Sequence, residues 1–165
     1  MDINKLINLL EPLIKNPSEG LPEEIFLLVS RITPLINVDL LIKNDQDYTL
    51  LTWRDDGLYP PGWHIPGGIV RYKETMSERI NAVAANELGA RVMSKKDPLA
   101  INELIHPSRR VRGHFISLLY ECTLISCPDE NLRYKEGPPQ KGEWAWHNKC
   151  PNDLLSIHEI YRKFI

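Results

Sequence analysis

The stretch from Trp63 to Gly89 constrains this chain most. Trp63-His64-Ile65-Pro66 leads into the paired glycines Gly67 and Gly68, and Thr75 to Leu88 then has helical character and stops at Gly89. Adjacent glycines let a backbone turn tightly and bring a main-chain carbonyl up to a ligand. A glycine just past a helix suits a left-handed stop. The spacing therefore predicts a glycine loop, a helix and a second loop, with Glu87 in the last helical turn. A carboxylate there faces the negative end of the helix dipole and is disfavoured unless a cation offsets it. Mg²⁺ takes oxygen ligands and keeps waters and phosphate oxygens in its shell, so one carboxylate and one carbonyl can hold it.

The elements around this stretch are mixed. Apolar residues at Ile3, Leu6, Ile7, Leu10, Leu13 and Ile14 have the spacing of one helical face, and a second helix is expected from Pro22 to about Arg31. These helices form an N-terminal extension over residues 1–32 that packs on the core or on a second copy of the chain; residues 33–165 form the domain proper. Thr33 to Lys43 reads as a strand, Asn44 to Asp47 as a turn, and Tyr48 to Arg54 as the returning strand of a hairpin. Leu99 to Ile105, His114 to Ile125 and Trp144 to His147 are further strands. Asn152-Asp153 offers an N-cap for a last helix carrying Leu154, Leu155, Ile157, Ile160, Tyr161 and Phe164. The order predicts an α+β chain or an αβα sandwich. The stretch from Asp129 to Gly142 is the longest without regular structure, and a long ordered loop is more often functional than accidental.

Composition narrows the partners. At 165 residues the chain fits one domain with a short extension, and a net charge of −2 gives no basic excess for nucleic acid. No apolar run approaches the length of a membrane span, and the N-terminus lacks a secretion-signal pattern. Cys122, Cys127 and Cys150 are odd in number and hold no Cys-x-x-Cys pair, so neither a disulfide framework nor a zinc site is indicated and a reducing cytoplasm is expected. A small soluble substrate is the expected partner, and neither nucleic acid nor a membrane.

From Gly68 to Ala90 the residues resemble the Nudix box, G-x5-E-x7-R-E-U-x-E-E-x-G-U with U aliphatic. Gly68, Glu74, Glu87 and Gly89 stand where the pattern asks, Ala84 and Ala90 occupy aliphatic positions, and the preceding Pro66-Gly67-Gly68 looks like the family's strand end. The resemblance implies an αβα sandwich with a mixed β-sheet. Ala82 stands in place of the box arginine, Val83 of the first glutamate and Asn86 of the first of the paired glutamates. Positions 83, 86 and 87 share one helical face, so a cluster of acids is reduced to one.

Thr33 to Asp39, the strand ending at Arg54 and Ala-Asn-Glu-Leu-Gly together look like the GDP-mannose mannosyl hydrolase branch, over roughly Thr33 to Trp146. That similarity implies one Mg²⁺, or Mn²⁺ in its place, held by Gly67, Glu87 and Gln140, with functional roles for Asp39 and Arg54. Two of that branch's positions differ: its arginine after Gly-Gly is Ile69, with Arg71 two residues on, and its histidine base is Lys141. Arg54, Arg71 and Lys141 are accordingly expected on phosphates. The expected activity is Mg²⁺-dependent hydrolysis of a nucleoside diphosphate sugar or related nucleotide, with P–O–P cleavage or a non-catalytic binding module as alternatives. A homodimer is compatible with the extension.

Blander roles stand beside these. Glu74 is expected to anchor the box loop by hydrogen bonds rather than to act in catalysis. Asp39 lies among aliphatic residues, where an unpaired carboxylate is costly, so a functional or paired position follows. Arg109, Arg110 and Arg112 read as a solvated turn ahead of a phosphate site. His106 and His114 carry no assignment, and of the four tryptophans one is available to stack on a base.

Overall fold

The computed structural model describes residues 2–57 and 59–165. Two short helices, α1 (Ile3–Leu10) and α2 (Glu23–Ile32), precede a mixed sheet and a smaller antiparallel one. The larger sheet runs β4-β1-β7-β5, with β6 also paired to β7, using β1 (Leu35–Ile42), β4 (Gly67–Ile69), β5 (Val92–Ser94), β6 (Ala100–Ile105) and β7 (His114–Leu124). β1 and β7 are parallel; the other pairings are antiparallel. The smaller sheet is β3-β2-β8, from β2 (Thr49–Arg54), β3 (Gly62–His64) and β8 (Trp144–His147).

β1 is central because its side chains are apolar on both faces, as a strand covered from both sides requires. Val38, Leu40 and Ile42 pack with Ile80, Val83, Ala84 and Leu88 of α3 (Met76–Leu88). Leu41 packs on the other face with Leu119, Leu154 and Tyr161. Helix, sheets and C-terminal helical segment make the three layers expected of an αβα sandwich.

α3 begins at a capping box, Thr75 with Glu78, and ends at Gly89 in the left-handed region, φ 61°. Glu74 just before it accepts the Arg71 N–H at 2.8 Å and pairs with the buried Arg79 guanidinium, Nη2 at 2.8 Å. It is the anchor of the box loop. Arg79 lies one helical turn before Ala82, so a guanidinium reaches the loop although the box arginine is gone.

Two expectations change. The strands flanking Asn44–Asp47 do not form a hairpin: only Lys43 and Thr49 bridge, and β1 and β2 then diverge into different sheets. Both edges of β1 are taken by β4 and β7, which leaves none for β2. The last helix starts at Ser156 and is a 3-10 segment to Phe164 rather than an α-helix capped by Asn152 or Asp153. Leu154 instead bridges Trp63 in parallel, because Trp63 donates to the Asp153 carbonyl and accepts from the Leu155 N–H.

α1 has no buried residue, and Ile3, Leu9 and Leu13 are well exposed. α2 buries Ser30.

Candidate active site

The two sheets splay apart around a cavity of about 530 Å³. Asp39, Arg54, Gly67, Glu87 and Lys141 all line it, whereas Arg71 and Gln140 do not. Both exceptions have structural causes. Arg71 is exposed beyond β4, where its guanidinium lies near Gly20 of the extension. Gln140 is exposed and tied into a turn: its amide nitrogen donates to Pro138 O at 3.0 Å and its N–H to Glu143. The next residue, Lys141, faces the cavity.

Glu87 reaches the cavity from the last turn of α3. Its carboxylate accepts the Gly67 N–H at 3.2 Å and the Thr52 hydroxyl at 3.1 Å, with 28% of the side chain exposed. Removal from water lifts its pKa to about 7, against the lowering effect of those hydrogen bonds and of Arg54. Val83 and Gly68 are pressed together below it, since a Cβ on Gly68 would stand 2.7 Å from Val83 Cγ2. The position of a box glutamate is here part of the core.

Asp39 forms the cavity floor. It is 2% exposed and accepts hydrogen bonds from Ser117, from Tyr161 Oη at 2.6 Å and from Asn37 Nδ2 at 2.9 Å. Burial still pushes its pKa up to about 6. The close approach of Gly67 depends on its bare Cα, because a Cβ there would meet Asp39 Oδ1 and lie 2.9 Å from the Val38 carbonyl.

Two histidines escaped the sequence analysis. His64 and His158 are buried with rings 5.6 Å apart, and desolvation holds both at about 3, so both are neutral near pH 7. His64 Nδ1 lies 2.8 Å from the Thr52 carbonyl, which can only accept, so Nδ1 carries the proton. Nε2 is left with a lone pair 3.6 Å from Glu87 Oε2. Alternation along the Trp63-His64-Ile65 strand gave no hint of this, because every residue there is buried.

Part of the cavity lining is basic. Arg54, paired with Asp56 at 2.6 Å, is joined by Lys141, Arg109 and Arg112. Arg109 and Arg112 correct the expectation of a solvated turn: the loop between β6 and β7 folds inward, and Arg109 stacks 3.8 Å over the Tyr59 ring. Arg110 stays exposed. Trp53 is the tryptophan that lines the cavity, while Trp63 and Trp144 are core.

Among the described residues no group of three or more His, Cys, Asp or Glu is placed to hold a metal. The donors do fit a single hard cation: Glu87 is a recessed carboxylate at the cavity beside the Gly67 main chain, while Asp39 has its oxygens engaged by protein donors.

No family model matches the chain. A curated relative, the low-salt glycan biosynthesis protein Agl8 of Haloferax volcanii, is 29% identical over 120 residues, 70% of this chain and 74% of that protein. Among solved structures, a MutT NUDIX hydrolase from Burkholderia pseudomallei superposes with a TM-score of 0.63 at 20% identity, covering 81% of this chain and 98% of that one. The MutT protein from Methanosarcina mazei Go1 gives 0.59 at 18%, covering 81% and 91%. A UDP-X diphosphatase gives 0.58 at 17% and covers 99% of this chain, its N-terminal helices included, and 67% of that one. The layers, the glycine loop before α3 and these superpositions agree that the chain has the fold of the Nudix hydrolases.

Proposed function

We propose that the chain is a hydrolase of a nucleoside diphosphate derivative, working with one Mg²⁺, or Mn²⁺ in its place. The observation that carries this is the polarity of the cavity, whose lining joins a recessed carboxylate, Glu87, to Arg54, Arg109, Arg112 and Lys141. A diphosphate matches this lining, since guanidinium and ammonium groups take its oxygens. Glu87, with the Gly67 main chain beside it, would hold the cation, which when bound draws charge from the phosphate oxygens.

The chain's own groups supply the rest. Thr52 and the Gly67 N–H fix the Glu87 carboxylate, and His64 presents a neutral Nε2 toward it. Asp39 is held rigidly by three donors, so its part is to set the floor and the β1–β4 approach. Arg54, held by Asp56, would take an oxygen of the anion. Trp53 offers an apolar wall for a base or sugar ring.

A nucleotide sugar is the substrate class proposed within this reading, on the pattern shared with the mannosyl hydrolase branch. The names of the solved neighbours, a UDP-X diphosphatase among them, support diphosphate chemistry more broadly. We place the protein in the cytoplasm, with a second copy as its partner through the exposed face of α1; no helix among the described residues is long and apolar enough to cross a membrane.

The test is turnover of a panel of nucleotide sugars and dinucleotides with Mg²⁺, Mn²⁺ or EDTA. Release of free sugar and nucleoside diphosphate marks C–O cleavage; sugar phosphate and nucleoside monophosphate mark P–O–P cleavage. Binding without turnover across the panel would establish the module reading that Ala82, Val83 and Asn86 favour.

A further inference from the structure

We propose that the N-terminal extension is a working part of the cleft: α2, through Ser30 and Phe26, holds the β6–β7 loop so that Arg112 and Arg109 face inward to receive a phosphate group. This rests on the diphosphate reading of the cavity and assigns to residues outside the Nudix box the recognition of the substrate's anionic end.

The loop is built for one conformation. His106 donates its N–H to the Gly113 carbonyl at 2.7 Å, and the Arg109 N–H returns to the His106 carbonyl at 3.1 Å. Gly113 cannot carry a Cβ, which would meet the Arg109 carbonyl at 2.7 Å. Arg112 lies at φ 51°, a left-handed conformation that a long side chain adopts only where its surroundings hold it.

α2 supplies that hold. Ser30, 6% exposed, donates its hydroxyl to the Leu27 carbonyl at 2.9 Å and accepts the Arg112 N–H at 3.2 Å. The Phe26 ring lies 5.8 Å from the Arg112 guanidinium. These contacts span from the extension to the cavity lining in one step.

The cluster calls for an anion. Arg54, Arg109 and Arg112 share one wall, and burial together with Arg54 lowers the Arg112 pKa. Asp56 pairs with Arg54, and Tyr59 keeps Arg54 and Arg109 on its ring, at 5.9 and 3.8 Å. A phosphate adds negative charge beside Arg112, which Arg54 and Arg109 crowd with like charge, and guanidiniums present paired N–H donors that a lysine lacks.

The experiment measures inorganic pyrophosphate affinity by calorimetry in Mg²⁺, alongside steady-state turnover of any substrate found by the panel. Arg112→Gln is expected to weaken pyrophosphate by roughly tenfold or more. Ser30→Ala, which touches no ligand, is expected to weaken it by roughly three- to tenfold and to raise KM with little change in kcat. Ser30→Thr keeps the hydroxyl and should restore the affinity. Lower melting temperature with unchanged affinity in Ser30→Ala would reduce α2 to a structural prop and overturn the inference, as would Arg112→Gln within about twofold of wild type. Wild-type protein that binds no pyrophosphate overturns the diphosphate reading itself, a result distinct from either variant's.

Discussion

Glu87 shows how much one residue decides. Its register with Gly68 and Gly89 marked it in the sequence, and the fold sets it at the cavity wall between Gly67 and Thr52. In Glu87→Gln the amide oxygen still accepts the Gly67 N–H, and the amide nitrogen can donate to the lone pair of His64 Nε2. The anion is lost, and with an amide nitrogen at the Oε2 position the Thr52 hydroxyl turns from donor to acceptor. Turnover should fall by roughly 10²–10³, about 2.7–4 kcal/mol, the loss typical of one preorganised charge-stabilising group. Urea unfolding of the metal-free protein should be unchanged or shifted upward, because a carboxylate leaves the negative end of α3. Full activity in the variant would remove the cation from this site. Asp39 makes a complementary case, legible as an anomaly among aliphatics but not as a network, since Ser117 and Tyr161 are distant in sequence. Tyr161→Phe removes the hydroxyl that donates to Asp39 and should cost about 1–3 kcal/mol in denaturant unfolding. An unchanged midpoint would mean Ser117 and Asn37 suffice.

At the scale of elements, the glycine stop of the box helix was readable, whereas the N-cap expected at Asn152-Asp153 is not used. Thr75 and Gly89 bound α3 as the sequence implied, because caps are local. The pairing of β1 was not readable, since which edges are free depends on strands far along the chain. The contact of β4 with β1 is likewise non-local and turns on Gly67. Gly67→Ala drives a methyl into Asp39 and the Val38 carbonyl, so β4 must lift; a cost of about 1–3 kcal/mol is expected from overpacking, together with loss of the Glu87 hydrogen bond. The C-terminal 3-10 segment brings His158, whose Nδ1 accepts the Ile65 N–H at 3.3 Å and must stay neutral to do so. Its pKa is depressed to about 3, so between the ordinary value and about 3 the unfolded chain binds a proton that the folded chain refuses. That contribution to stability is complete above about pH 6.5 and is lost as pH falls, at about 1.4 kcal/mol per pH unit. Asp39 and Glu87 act with opposite sign, their contributions lost as pH rises through about 6 and about 7. The wild-type profile therefore mixes the two, and the difference from His158→Asn, which keeps an acceptor for Ile65, isolates the imidazole. The variant should gain on wild type steadily below about pH 6.5; parallel profiles would show that His158 is not buried neutral.

Over the whole molecule, the layers and the position of the box helix were legible because they follow local periodicity and glycine spacing. The basic wall was not, because Arg109 and Arg112 look like a solvated turn until α2 and Tyr59 are seen to fold their loop inward. Gln140 shows the converse, a loop residue placed by similarity whose side chain is tied away from the cavity. Together these facts bear on metal count. Val83 is buried in the core, Asn86 carries no charge, Asp39 is fully engaged by protein donors, and no other acid among the described residues joins Glu87 in a ligand cluster. Charge on the diphosphate is instead met by arginine and lysine. The expected stoichiometry is one Mg²⁺ per chain in calorimetry with a nucleoside diphosphate present, and weak Mg²⁺ binding without it, because phosphate oxygens complete the shell. Mg²⁺ and nucleotide together at about 100 times the dissociation constant should then stabilise the fold by about 2.7 kcal/mol, more than either alone. Two or more cations per chain would mean that ligands assemble only in the complex, and equal stabilisation by Mg²⁺ alone would mean that the cation site is complete without phosphate.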